Sequence, residues 1–116
     1  MNTQNFDTAL AKFVALIQKK TDEHIAKPWY KSVMPDLITT EAGSKYVRIV
    51  KNRRSLEDDG SIRMLDSRSV WGFVEKETGD VFKAAGWKVP AKHARGNIFC
   101  ADPWAGMTVY GPEYLR

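Results

Sequence analysis

A clear β-hairpin is encoded between Ser69 and Ala85, and it restricts the possible folds more than any other segment. Two runs rich in β-branched and aromatic residues flank Lys76 to Gly79, which predicts a four-residue loop with Gly79 at a positive φ. This register gives three cross-strand pairs: Val74 with Val81, Phe73 with Phe82, and Trp71 with Ala84.

Alternation along the hairpin predicts that Trp71, Phe73 and Phe82 share one face of the sheet. Val74 and Val81 then lie on the other face, so both faces are substantially apolar. One helix can cover only one of them. We therefore expect the C-terminal tail, a subunit or a ligand to cover the second face.

Apolar residues at spacings of three and four predict an amphipathic helix from Asn5 to Lys27. Asn5 is suited to the N-cap, and Pro28 steers Lys27 out of the α region and so ends the helix. His24 falls on the apolar stripe, where we expect a half-buried packing role.

The middle of the chain predicts two further strands, Asp36 to Thr40 and Lys45 to Asn52, joined by a turn that contains Gly43. Ser55 to Ser67 is polar and predicts an exposed loop, with a short edge strand possible at Ser61 to Leu65. Its acidic residues are Glu57, Asp58 and Asp59.

From Gly86 onward Pro and Gly punctuate a loop-rich tail, in which Met107 to Tyr110 is suited to a last short strand. The whole pattern predicts a single α+β domain over residues 1–116. An N-terminal amphipathic helix would pack on a small antiparallel sheet of about three to five strands, with the tail folded against it.

At 116 residues the chain can fill one modest core, and its formal charge of +4 favours acidic partners such as nucleic acid. The one cysteine, Cys100, excludes an intramolecular disulfide framework. Neither a secretory signal nor an apolar run of membrane-spanning length is present, so we expect no membrane partner and a cytoplasmic location.

Few residues are candidates for catalysis, and nothing in their spacing supports it. His24, His93 and Cys100 lack the spacing of a zinc site, and a Cys100–His93 nucleophilic pair would require a contact that the sequence does not impose. Cys100 follows Phe99 and fits a small packing residue. The acidic run lacks EF-hand spacing. We therefore expect no enzyme activity, no cofactor and no metal.

Two basic groups are the candidate binding residues. The first lies in the predicted loop from Trp87 to Arg95 and beside it, and comprises Lys83, Trp87, Lys88, Lys92, His93 and Arg95. The second lies in the strand predicted after Gly43 and directly beyond its end, and comprises Arg48, Lys51, Arg53 and Arg54. Cations neutralise phosphates and exposed aromatic rings stack on unpaired bases, which would suit RNA or single-stranded DNA. The alternative is that Trp87 is core and the lysines are only solvated.

The stretch TGDVFKAAGWKVPAKHARGNIF resembles small proteins of unassigned function encoded by tailed bacteriophages. Those proteins share an SVxxFVxxxTGDVxKxAxWKxPAKxxRGxxF pattern, preceded by a strand like KYVRIVK and often ending like the YLR of residues 114–116. The resemblance covers Lys45 to Phe99. It implies a phage or prophage protein in the host bacterial cytoplasm, with no established enzyme activity or cofactor and no site residues to carry over.

Three functions remain open from the sequence. The first is a non-catalytic protein that binds RNA or DNA through the two basic groups. The second is an inhibitor or modulator of a host protein complex, which would use exposed aromatic residues, namely Trp71, Phe73, Trp87 or Trp104. The third is a structural or assembly protein that self-associates, for instance as a homodimer.

Overall fold

One helix and seven strands form the regular structure of the computed structural model, which describes residues 5–25 and 34–112. In chain order they are α1 (Phe6–Ile25), β1 (Leu37–Ala42), β2 (Tyr46–Leu56), β3 (Ile62–Glu75), β4 (Asp80–Ala84), β5 (Pro90–Asn97), β6 (Met107–Thr108) and β7 (Gly111–Pro112). Strands β1 to β5 form one antiparallel sheet in sequential order, and β6 pairs with β7. The predicted α+β class is confirmed.

Helix α1 begins as predicted, with the Asn5 side chain as its cap. Asn5 Oδ1 accepts hydrogen bonds from the backbone N–H groups of Asp7 at 2.7 Å and Thr8 at 3.4 Å. The buried stripe of α1 consists of Ala9, Phe13, Ile17 and Thr21. The predicted end at Lys27 and Pro28 lies outside the described residues.

His24 does not have the half-buried position expected for it. Its side chain is exposed, and its ring meets the Tyr110 ring edge-to-face with centroids 5.6 Å apart. The prediction was wrong because the buried residues of α1 lie in its earlier turns, and the His24 ring contacts Tyr110 of the C-terminal segment instead of the sheet core.

The Gln18 amide joins α1 to the edge strand β1. Gln18 Oε1 accepts from the Ile38 N–H at 2.8 Å, and Gln18 Nε2 donates to the Asp36 carbonyl at 2.9 Å. The side chain thereby satisfies backbone groups at an edge that has no further strand in the described sheet.

The hairpin pairs Val74 with Val81 and Phe73 with Phe82, as predicted, and Gly79 has a φ of 76°. Trp71, however, does not lie on the face of Phe73. The β2–β3 register passes from Ile49–Gly72 to Val50–Val70, so Trp71 is the extra residue of a β-bulge. A bulge interrupts the strict alternation of side chains, and this one turns Trp71 toward α1.

The face of the sheet toward α1, here called the helix face, carries the core residues Ile49, Trp71, Val74 and Val81. The Trp71 ring meets the Phe13 ring edge-to-face, with centroids 5.6 Å apart, and stacks on the Trp104 ring, with centroids 6.4 Å apart. Its indole N–H donates to the Thr108 carbonyl at 3.1 Å. The C-terminal segment therefore packs beside the helix on this same face.

The opposite face, here called the outer face, carries Phe73 and Phe82, and both rings are buried. The Tyr46 ring meets both edge-to-face, with its centroid 6.2 Å from that of Phe73 and 5.8 Å from that of Phe82. Arg48 and the β4–β5 loop, residues 85–89, lie over the same face. Local side chains and a loop thus cover the second face of the hairpin, where the sequence had suggested the tail, a subunit or a ligand.

Two predicted loops are strands. The region from Ser55 to Ser67 continues β2 and β3 as a two-stranded arm, residues 52–68, whose turn contains Gly60. The predicted binding loop is strand β5 from Pro90 onward, with Pro90 as its first residue, a position that proline tolerates. The short strand predicted at Ser61 to Leu65 coincides with the start of β3. The rest of the arm and β5 were missed because their side chains are largely exposed and show no apolar alternation.

Candidate nucleic-acid interface

A cleft of about 480 Å³ lies on the helix face and brings three of the predicted cations together. These are Lys51, Arg53 and Arg54, all from β2. The other described residues that line it are Thr21, Met34, Asp36, Ser55, Leu65, Val109 and Tyr110. Asp36 is therefore the only acidic residue in the described lining.

Strand alternation and a tight C-terminal turn explain this arrangement. Lys51 lies two residues after the core residue Ile49, and hence on the helix face. Tyr110 is positioned by Thr108, whose Oγ1 accepts from the Tyr110 N–H at 3.1 Å and donates to the Gly111 carbonyl at 2.7 Å. The Tyr110 hydroxyl lies 3.1 Å from His24 Nε2, which connects the turn to α1.

The positive charge of the cleft is only partly compensated. Burial lowers the pKa of the half-buried Lys51 amine, and nearby Lys83 lowers it further, while the Asp36 carboxylate acts in the opposite direction. Lys51 Nζ lies 3.5 Å from the Tyr110 carbonyl oxygen and 5.8 Å from the Tyr110 ring centroid. With three cations and one carboxylate in its described lining, the cleft carries a net positive charge.

The two arginines of the cleft differ in how they are held. Arg54 Nε donates to the Pro35 carbonyl at 2.9 Å, which fixes its side chain beside β1. Arg53 is exposed and makes no hydrogen bond or ion pair with the described residues. Arg53 is thus the cleft cation best placed to meet a ligand.

Lys83 belongs with the cleft group rather than with the β4–β5 loop. Its Nζ donates to the Pro112 carbonyl at 3.1 Å, and it lies two residues after the core residue Val81, which places it on the helix face. It is close enough to Lys51 to affect the pKa of that amine. The first predicted basic group is therefore divided between faces.

Trp87 and Arg48 form a second cluster on the outer face. The Arg48 guanidinium carbon lies 4.7 Å from the Trp87 ring centroid, and that of Arg68 lies 5.1 Å from it. Glu41 accepts from both arginines, from Arg48 at 2.8 Å. The hydrogen bond from Arg68 is the largest cause that holds the pKa of Glu41 below its usual range, and the hydrogen bond from Arg48 is the next. Trp87 is therefore not a core residue, since 38% of its surface is exposed, but the two arginines hold its ring in place.

The remaining predicted residues lie around this cluster and along the edge strand β5. Lys88 lines a shallow groove of about 320 Å³ with Lys45, Tyr46 and Arg48. Lys92 and His93 are exposed on β5, where Arg95 is half-buried and donates to the His93 carbonyl. The ten predicted residues therefore do not form one patch, because β2 alternation sends Arg48 and Lys51 to opposite faces.

Sequence reasoning missed four residues of these clusters: Asp36, Glu41, Arg68 and Tyr110. Glu41 is directly opposite Arg48 in the β1–β2 register, so a correct strand alignment would have suggested that ion pair. Tyr110 reaches the cleft through long-range packing of the tail, for which the sequence contains no local signal.

The candidates for catalysis do not come together. Cys100 is exposed, contrary to the packing role expected for it, and its thiol donates to the Asn97 carbonyl at 3.0 Å. His93 lies on β5 without a side-chain hydrogen bond to Cys100. In residues 5–25 and 34–112, no group of three His, Cys, Asp or Glu side chains could hold a metal ion, and no helix is long and apolar enough to cross a membrane.

Comparison with known protein families identifies the family of the chain. The model of a family of unknown function, DUF7717, matches residues 3–110. No curated protein and no solved structure matches the chain.

Proposed function

Because the chain belongs to DUF7717, a family of unknown function, we propose its role from its geometry: it is a non-catalytic protein that binds nucleic acid in the cleft between Arg53 and Tyr110. The phage-like motif of the hairpin supports the further proposal that it acts in the cytoplasm of a bacterial host as a phage or prophage protein.

The observation that carries the proposal is the charge of the cleft. Three cations face one carboxylate, and Arg53 has no partner among the described residues. Cations that neutralise backbone phosphates release condensed counterions, which supplies most of the affinity of non-specific nucleic-acid binding. Arginine can in addition form two parallel hydrogen bonds to one phosphate.

The exposed ring of Tyr110 favours binding of single-stranded over double-stranded nucleic acid. Its side chain is 69% exposed at the edge of the cleft, and it is held by His24 and by the β6–β7 turn. Stacking of an unpaired base on an aromatic ring contributes about 1–3 kcal/mol. Bases in a duplex are already stacked on one another, so they could not use this ring.

The test is equilibrium binding to labelled single-stranded DNA, single-stranded RNA and duplex DNA over a range of salt concentrations. We expect the single strands to bind more tightly, and Arg53→Ala to weaken binding and reduce the salt slope by about one. Lys12→Ala, on the exposed side of α1, is the matched control. The proposal is wrong if no binding occurs at about 50 mM salt, or if the two variants behave alike.

A comparison with Lys92→Ala and Trp87→Ala decides which basic group binds. If the cleft is the site, both variants keep the affinity of the wild type. A loss confined to these two variants would instead place the site on the outer face and β5.

Binding to a host protein complex is the second candidate, and the exposed Trp87 and Val89 favour it. The other aromatic residues suggested by the sequence are not available for this role, because Trp71 and Phe73 are buried and Trp104 packs against the core. The experiment is capture from nuclease-treated bacterial lysate. A partner retained by the wild type and lost with Trp87→Ala would support this function.

A further inference from the structure

The arm, residues 52–68, carries exposed apolar side chains along one of its faces. Leu56 is 38% exposed, Ile62 is 53% exposed and Met64 is 50% exposed. Leu56 pairs with Ile62, and Met64 pairs with Arg54 one step closer to the sheet. Since paired residues and residues two apart share a face, these three side chains form one stripe.

The arm is also electrically asymmetric along its length. Its tip carries Glu57, Asp58 and Asp59, partly compensated by the ion pair of Glu57 with Arg63. Its base carries Arg53, Arg54 and Arg68, of which Arg68 is already paired with Glu41 of β1, and Asp66 is the one acidic residue of the arm there. Asp58 at the tip makes no ion pair with the described residues, nor does Arg53 at the base.

From these two features we propose that the stripe of Leu56, Ile62 and Met64 joins two copies of this chain, packed antiparallel about a two-fold axis. In that arrangement the acidic tip of each arm lies over the basic base of the other. The apolar stripes meet between them. A two-fold interface is self-complementary, and an arm with opposite charges at its two ends satisfies that requirement without a second kind of protein.

The apolar stripe lies outside the cleft, since Leu56, Ile62 and Met64 are absent from its lining, whereas Arg53 and Arg54 belong both to the cleft and to the base of the arm. An interface limited to the arms is smaller than the roughly 800 Å² per partner of a typical stable complex, so the dimer should be weak. Salt should weaken it further by screening the tip and base charges.

Sedimentation equilibrium of the full chain at protein concentrations up to about 500 µM tests the proposal. We expect a species of twice 13.2 kDa. Ile62→Lys should raise its dissociation constant about tenfold or more, since each dimer loses two buried isoleucines. Val89→Lys is the matched control: Val89 is 57% exposed but lies outside the arm, and its replacement should change the constant less than about twofold.

Disulfide trapping then tests the antiparallel order. In a Cys100→Ser background, Met64→Cys lies near the expected two-fold axis and should cross-link to its own copy, whereas Ser61→Cys at the tip should not. The proposal fails if the wild type remains a monomer throughout, if Ile62→Lys and Val89→Lys behave alike, or if Ser61→Cys cross-links in preference to Met64→Cys. Circular dichroism verifies that each variant is folded.

Discussion

Arg48 binds Trp87 in two ways at once: its Nε donates to the Trp87 carbonyl at 2.8 Å, and its guanidinium lies over the indole, 4.7 Å from the ring centroid. Arg68 approaches the same ring to 5.1 Å, and Glu41 joins the two arginines. A residue of the β4–β5 loop is thereby fixed to β2, which lies two strands from β4 in the sheet. The loop is thus a cover for Phe73 rather than a free recognition element.

Replacing Trp87 with alanine should therefore destabilise the fold. Each cation–π contact at a partly exposed site contributes about 0.5–1 kcal/mol, so we expect Trp87→Ala to lower the free energy of unfolding by about 1 kcal/mol or more. Urea denaturation followed by circular dichroism measures it. Val89→Ala, in the same loop, should cost less than about 0.5 kcal/mol. Equal losses in the two variants would show that the arginine contacts do not stabilise the loop.

The ion pairs of Glu41 should make the stability depend on pH. Hydrogen bonds from Arg68 and then Arg48 lower the pKa of Glu41 in the folded state relative to the unfolded state. The stabilisation is therefore fully present above the unfolded value of about 4.3 and is lost as the pH falls through the folded value. We expect Glu41→Gln to lower the urea midpoint at pH 7. The midpoints of the variant and the wild type should converge as the pH is lowered.

Glu77→Gln is the control for this experiment, because Glu77 lies exposed on the hairpin turn and makes no ion pair with the described residues. It should follow the wild-type midpoint at every pH. A constant difference between Glu41→Gln and the wild type down to about pH 2 would mean that the carboxylate charge contributes nothing.

Alanine substitutions at two glycines with positive φ distinguish the cost of backbone strain from the cost of a steric clash. Gly79 has a φ of 76°, and a Cβ there would lie 2.6 Å from two carbons of the Phe99 ring. Gly60 has a φ of 87°, but no atom lies within 4 Å of its Cβ position. Gly60→Ala should cost about 1 kcal/mol from strain alone, whereas Gly79→Ala should cost clearly more because Phe99 must also move. Thermal unfolding would contradict this if Gly60→Ala were the less stable variant.

Helix α1 and the hairpin could be predicted because each has a strong local signal. Asn5 and the spacing of Phe13 and Ile17 define the start and face of α1, and Gly79 defines the hairpin register. The bulge at Trp71 could not be predicted, since it depends on pairing with β2 and on the packing of Trp104. One inserted residue was enough to move Trp71 to the face opposite the one predicted for it.

The candidate site was predictable in its residues but not in its arrangement. Lys51, Arg53 and Arg54 stand out as a basic run, yet the separation of Lys51 and Arg53 from Arg48 follows from strand alternation together with the position of α1, and the register of β2 with β3 is irregular before Arg54. The full length of the arm strands could not be predicted because residues 55–67 have no core to face, so no apolar period marks them. Cross-strand hydrogen bonds, which leave no pattern in composition, form these strands instead.

The last prediction concerns Lys51, whose amine is held in a costly environment. Burial lowers its folded-state pKa below that of the unfolded chain, and Lys83 adds to the effect. The charged amine therefore destabilises the fold at neutral pH, and this cost disappears as the pH rises through the folded value toward about 10.4, where lysine loses its charge in both states. We expect Lys51→Met to be at least as stable as the wild type at pH 7, with the difference shrinking by pH 10. Urea midpoints at both pH values measure it, with Lys12→Met as the exposed control. A large loss of stability in Lys51→Met at pH 7 would show that the contact between Lys51 Nζ and the Tyr110 carbonyl outweighs desolvation.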